Sequence, residues 1–522
     1  MDPFQQLPPE VRLEIMSHIH SHTTLWRLTQ ASPAMWNQYV VSKPALLKRF
    51  VSNLAQVDNN NQELIQDAMA IIRFNESMGN SERTLFLFDR WLVKSLPPFE
   101  THADITKLHR LFVRTSFFIE DYMTKATSPS PTEAYRSLPN ITFSNTLNNR
   151  VTLDDLTLPE KYRLFRAFFK FEVMTKIYDP RLEDSMDAKY YLENAQDLMK
   201  ELDPWVHEAV LCVYGYVEAS YGAIFAQLGK KYGATSFVAT TAMVKPLLFP
   251  DNLYFSAHAH FDDIYLPKHC PCVSWWLSCH GMDLLAHVLI QTRQTSQNPD
   301  YLLSWLYSIS LEVVAPLKTF YYDNRRNLLA HRPVYLSKLF AHTDNLLADH
   351  LSQIDDTQED DNDSDDDSVS GDFGYMSEEE LQTPIQLQIY RQRAWVLCDN
   401  WRLYPIPLYE HFPSPEDIDQ QQTEVVRRYP LTCLRERQRR RSTEWQTFWE
   451  GRNLLSPPER APTHWWAIQF AEDNIYDIPH FYESAFRDGL STFWRVRKAE
   501  KVDTYVSHGY RLSKKQYWYG EW

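Results

Sequence analysis

Between His258 and His287 the chain gathers its densest set of groups able to hold a metal ion: His258, His260, Asp262, Asp263, His269, Cys270, Cys272, Cys279, His280 and His287. Imidazole and thiolate are the ligands zinc takes, and four of them converging would close a tetrahedral site. The spacing follows no known finger, because Cys270 and Cys272 are one residue too close for C-x2-C and Cys279 adjoins His280. Packed or surface side chains that cluster by chance are therefore the expectation, and no metal site is assigned. Other catalytic patterns are missing from the sequence. Neither G-x-S-x-G nor H-E-x-x-H occurs, and no phosphate-cradling G-x-x-x-x-G-K-[ST] or G-x-G-x-x-G is present. No catalytic residue and no cofactor is expected, and the chain reads as a non-enzyme.

Three further runs carry chemistry of other kinds. Asp355 to Glu380 holds 13 acids and no Lys or Arg, so the net charge of −15 resides almost wholly there and the rest is nearly neutral. That balance predicts neither a nucleic-acid footprint nor a membrane-attracting field. Ser364-Asp-Asp-Asp367 and Ser377-Glu-Glu-Glu380 inside this run suit acidophilic kinases. Arg427, Arg428, Arg435, Arg437, Arg439, Arg440 and Arg441 form a basic patch, with Glu436/Arg440 spaced for pairing on a helix. Trp445, Trp449, Trp465, Trp466, Trp494, Trp518 and Trp522 make an aromatic-rich end whose first pair has core spacing. The run His258-Ala-His260-Phe-Asp262-Asp263 is similar to the H-x-H-x-D-H ligand set of metallo-β-lactamase-like hydrolases, but its last histidine is missing.

The elements that must position these groups are helices. With 12 glycines in 522 residues, about 2% against an ordinary ~7%, folds built on glycine turns are disfavoured. Apolar spacing of three and four dominates wherever a period exists. Helices are predicted at Leu64 to Glu76, Arg83 to Lys94, Ile105 to Thr124, Pro159 to Tyr178, Tyr190 to Lys230, Met282 to Thr295, Leu302 to Tyr322, Leu336 to Gln353, Pro384 to Asp399 and Leu434 to Glu450. Pro129, Pro131 and Pro139, followed by Asn140 to Asn149, predict an irregular connection, as does Pro246 to Pro271. Trp205 to Leu228 is the most apolar stretch, yet His207, Glu208 and Glu218 argue against a membrane span. The acidic run has no apolar content from Asp355 to Asp367 and is expected to stay disordered. Six cysteines and no charged-then-apolar leader after Met1 read as reduced intracellular thiols.

The first fifty residues are denser in helix punctuation than any other part. Leu7-Pro8-Pro9-Glu10 places proline and an acid in a first turn, after which Val11, Ile15 and Ile19 recur every four residues. Leu25 and Leu28 follow a break, Ser32-Pro33 opens another helix with Trp36 and Tyr39, and Ser42-Lys-Pro44 is read as opening a further one. Three or four short helices result, each too short to stand alone. This arrangement resembles an F-box, and its Gln30-Ala-Ser-Pro33 form is similar to the F-box-like proteins of filamentous fungi.

The resemblance implies a small helical module that docks on the Skp-type adaptor of a cullin-RING (SCF-type) ubiquitin ligase while the remaining chain captures a substrate. It implies an adaptor-binding set of Leu7, Pro8, Ile15, Ile19, Leu25, Leu28 and Trp36. The fold expected is mainly α: a three-helix F-box-like module (1–50), a central helical region (51–350), a disordered acidic insert (351–382) and a Trp-rich helical region (383–522) packed with the central one. The function expected is substrate recruitment in the cytoplasm or nucleus, with a Skp-type adaptor and an unidentified protein as partners and with neither nucleic acid nor membrane. Two alternatives are a helical scaffold with a degenerate F-box and a metal-dependent hydrolase built around His258 and His260.

Overall fold

The computed structural model describes residues 2–57, 63–77, 81–97, 101–129, 131–141, 150–177, 203–232, 253–257, 273–278, 280–294, 385–403, 412–413, 417–418 and 420–421. Of these, 81% are helical and none lies in a strand, so the chain is mainly α, as its apolar spacing predicts. A 3-10 turn at Pro3–Gln6 leads into α1 (Pro9–His18), α2 (His22–Ala31) and α3 (Pro33–Val57). The body follows as α4 (Glu63–Ser77), α5 (Ser81–Leu92), α6 (His102–Ala126), α7 (Pro131–Arg136), a 3-10 turn at Leu153–Asp155, and α8 (Leu158–Ile177). It continues with α9 (Pro204–Tyr232), α10 (Val273–Ser278), α11 (Gly281–Gln294), α12 (Ile385–Gln392) and α13 (Asn400–Leu403).

Local chemistry starts several of these helices. Ser21 Oγ accepts the Thr24 N–H at 3.2 Å and Thr101 Oγ1 that of Asp104 at 3.1 Å, satisfying donors that a helix start leaves free. Before α8, Thr157 and Glu160 exchange side-chain to backbone bonds of 3.0 and 3.3 Å, a reciprocal capping box.

Two separate apolar cores result. The small one belongs to the N-terminal helices: Met16, Met35 and Leu46, with Phe4, Leu13, Ile15, Leu25, Leu28 and Tyr39 packed around them. The large one is centred on α9, whose Val210, Cys212, Tyr216, Val217, Tyr221 and Phe225 are buried among α7, α8, α10, α11 and α12. Each such side chain withdrawn from water stabilises the fold by about 1.5–3 kcal/mol before entropy is counted. Among the described residues one helix, Trp205–Gln227, is long and apolar enough to cross a bilayer, and 89% of that stretch is enclosed by the fold. Its neighbours thus supply the apolar surroundings its composition requires. Gly222 lets the chain at Ala257 approach closely, since a Cβ there would lie 2.7 Å from the Ala257 Cα.

Buried charge is placed where helices meet. Glu172, fully buried on α8, accepts the Met282 N–H at the start of α11 (2.7 Å) and lies 3.0 Å from Lys176 Nζ. Asp283 takes Lys176 at 2.7 Å and also pairs with Arg114. Burial would raise the Glu172 carboxyl, but the charges of Lys176 and Arg114 and the Met282 N–H outweigh it and hold it below the usual range.

Three expectations are corrected. The helix predicted at Pro384 to Asp399 ends at Gln392, because Ala394 takes a positive φ of 55° and the chain turns through 393–398. Pro44 does not open a new helix: α3 runs through it for 25 residues. Pro44, Val40 and Val41 lie on the exposed side of α3, so water can take the Val40 carbonyl that an interior proline frees. The Pro129 to Pro139 connection contains α7, because Pro131 fits the first turn of a helix and Tyr135 is drawn into the core at 0% exposure. Agreement is close for α4, α5, α6, α8 and α11, and α9 begins at Pro204. The predicted helices at Leu302 to Tyr322, Leu336 to Gln353 and Leu434 to Glu450 lie outside the described residues, as do the acidic run, the arginine patch and the tryptophan-rich end.

Candidate docking face of the N-terminal module

The N-terminal helices are tied to one another by polar bonds. Asp2 accepts the Phe4 N–H (2.9 Å), the Ser32 hydroxyl (2.7 Å) and the Ala34 N–H (3.0 Å), closing the chain start onto the start of α3. The Ser32 hydroxyl and these backbone N–H groups hold the Asp2 carboxyl below its ordinary range. Arg49 of α3 forks onto Glu14 of α1 with two bonds of 2.8 Å. Asp2 is not among the residues expected from sequence, whereas its partner Ser32 is read there as a helix start; an acid directly before Pro3 is the signal that points to Asp2 as a cap.

The seven predicted residues fall into two groups. Ile15, Leu25 and Leu28 are partly buried against Met16, Met35 and Leu46, so the fold brings them together. Leu7, Ile19 and Trp36 are partly buried but do not belong to that core, and Pro8 is exposed. Trp36 lies edge-on to Trp26 (6.3 Å between centroids) and stacks on Tyr39 (6.1 Å). None of Ile15, Ile19, Leu25 and Trp36 is fully enclosed. The outer sides of α1 and α3 also present Pro9, Val11, Val40 and Val41 to solvent, Val40 at 55% and Val41 at 79% exposure. Met16 and Met35 are the centre of the module, with Tyr39, one turn beyond Met35, packed against them.

The module meets the body along α3, which packs against α6 and α8, and through polar groups at the α1–α2 turn. Buried Glu120 of α6 accepts from the hydroxyls of Ser21 and Thr23, the latter at 2.6 Å, and from the Leu153 N–H at 3.2 Å, with Arg150 Nε also 3.2 Å away. Asp154 accepts the His20 N–H at 2.7 Å and the Ser21 N–H at 3.3 Å. Burial would raise Asp154, but bonds from His20 and Ser21 outweigh it and leave its carboxyl low. Beside them, the Nε2 atoms of His22 on α2 and His109 on α6 stand 2.9 Å apart, so one ring donates and the other accepts. Burial keeps both neutral: His22 falls to about 4 despite Asp154, and His109 falls to about 2 with help from the charges of His22, Lys43 and Arg110.

Such an arrangement anchors and orients the module on the body. Among the described residues no group of three or more His, Cys, Asp or Glu side chains is placed to hold a metal. His280 and His287 are both buried at α11, while His258, His260, Asp262, Asp263, His269, Cys270, Cys272 and Cys279 lie outside the described residues. Burial pushes the His287 ring down to about 3 and the Cys212 and Cys398 thiols up. Set against protein-family models, curated proteins and solved structures, the chain matches none of them.

Proposed function

We propose that this chain is a substrate-recruiting adaptor of a cullin-RING ubiquitin ligase. Its N-terminal module binds a Skp-type subunit, and its helical body binds a protein to be modified. The observation that carries the reading is the separateness of the small core: the module closes on Met16, Met35 and Leu46 while Pro8, Pro9, Val11, Val40 and Val41 stay outside. A helical cap made only for its own body would turn those side chains inward, whereas a face left in water on a rigid helix pair suits a partner. The chain's own part in ubiquitin transfer is then proximity.

Co-purification with a Skp-type adaptor tests this. Capture of the adaptor by the full chain, lost on Leu7→Ala with Pro8→Ala and on Val41→Asp while the melting temperature stays unchanged, is the expected result. Failure of the unaltered chain to capture it sinks the reading. The anchoring of α2 on Glu120 and Asp154 favours a second one, a helical scaffold whose module caps the body. That scaffold would lose stability, and no partner, when the α1–α2 turn is disturbed.

A further inference from the structure

Residues 385–403 enter the large core from far along the chain. Ile389, Tyr390, Ala394, Trp395, Val396 and Leu397 are each at most 1% exposed, yet an eight-residue helix such as α12 cannot hold its shape in water unaided. Its conformation is imposed by what surrounds it. The Arg391 and Gln392 carbonyls accept from the hydroxyls of Tyr122 and Tyr135 at 2.5 Å each, on α6 and α7. The Gln392 side-chain amide pairs with both the N–H and the carbonyl of Phe255, at 2.9 and 2.8 Å.

Charge is matched as closely. Arg391 forks onto Glu208 of α9, Arg402 onto Glu160 of α8 at 2.9 and 3.0 Å, and Arg163 of α8 reaches Asp399 at 2.5 Å. Every one of these partners is more than a hundred residues away in sequence. Shape, backbone bonding and charge together constitute recognition of a defined peptide, and a covalent tether adds to such recognition only an effective concentration.

We propose that residues 385–403 are an internal ligand of the body, seated in a specific groove between α6, α7, α8 and α9, and that they remain bound when the chain is severed upstream of them. Continuity through residues 295–384 is then dispensable once the groove is filled. The inference is independent of what the N-terminal module binds.

The test is a full-length chain in which Asp361–Asp367, a run without one apolar side chain, is replaced by a site-specific protease sequence. After cleavage, both fragments should co-elute at micromolar concentration with the mass of the intact chain and unfold in one transition. Arg391→Ala with Arg402→Ala should raise the dissociation constant of the cut pair by more than about tenfold, leaving the uncut chain's elution unchanged. Should that variant not accumulate, Arg163→Ala with Asp399→Ala, at the half-exposed edge of the groove, serves the same purpose. Fragments that separate without denaturant overturn the proposal, as does a cut pair indifferent to both double variants. Elution at twice the mass overturns it in favour of a segment exchanged between two copies.

Discussion

The Glu208 carboxylate and the Arg391 guanidinium meet through two bonds, 2.8 and 2.7 Å, although 183 residues separate them in the chain. Glu208 is fully buried and also takes the Trp395 indole N–H at 3.2 Å. Removing one partner leaves the other charged and dry, so Glu208→Ala or Arg391→Ala alone should cost about 3–5 kcal/mol in urea unfolding. Replacing both, by Glu208→Leu with Arg391→Met, should cost less than either single change. A double variant no better than the sum of the singles would mean that the two groups do not act as a pair.

Gly281 opens α11 with φ at +81°, and a Cβ there would sit 2.5 Å from Thr175 Oγ1 and 2.7 Å from Glu172 Oε2. Gly281→Ala is therefore strained twice, in its backbone and against the carboxylate that caps the helix. A loss of at least about 1–3 kcal/mol is expected, read as a lower melting temperature. A melting point equal to the parent's would refute the tight fit.

His22 and His109 give the protein an acid-sensitive limb. Their ordinary value is 6.5, and folding lowers them to about 4 and about 2, so between those values and 6.5 the unfolded chain binds more protons than the native one. Stability is complete above pH 6.5 and is lost progressively as pH falls toward 4, by about 2–3 kcal/mol for His22. Melting temperatures from pH 7.5 to 4 should show this slope, and His22→Asn with His109→Asn should flatten it.

Glu120 joins the module to the body through Ser21 and Thr23 on one side and Arg150 and Leu153 on the other. Glu120→Ala should leave Arg150 without its carboxylate at a cost of about 3–5 kcal/mol. Amide hydrogen exchange should then quicken in α1 and α2 before it quickens in α9. Uniform acceleration through the whole chain would show the module to be inseparable from the body.

Where local pattern decides, these features are legible in the amino acids. The spacing of Leu64 to Glu76 and of Ile105 to Thr124 marks α4 and α6 because one face of each must be apolar. Leu7-Pro8-Pro9-Glu10 marks the start of α1 because a first turn tolerates proline and favours an acid. Ile15 on α1 and Leu25 and Leu28 on α2 can each be picked out as apolar-face positions on the same grounds, while their packing together comes from the fold. Pro44 and Pro131 mislead for the converse reason: whether a proline breaks, starts or merely sits in a helix depends on which side faces water and what the next turn packs against.

Residue type and period alone therefore determined that the chain is helical, where most of its described helices lie, and that helix-start signals crowd into its first fifty residues. Only the tertiary structure decided that this module keeps a core of its own, that Glu120, Asp154, His22 and His109 form its seat, and that Ile385 to Leu403 complete the body's interior. Helix periodicity arises from contacts a few residues apart, which a sequence displays directly. The pairing of Arg391 with Glu208, or of Gly281 with Glu172, arises from the packing of helices whose order in space is not written in their spacing along the chain.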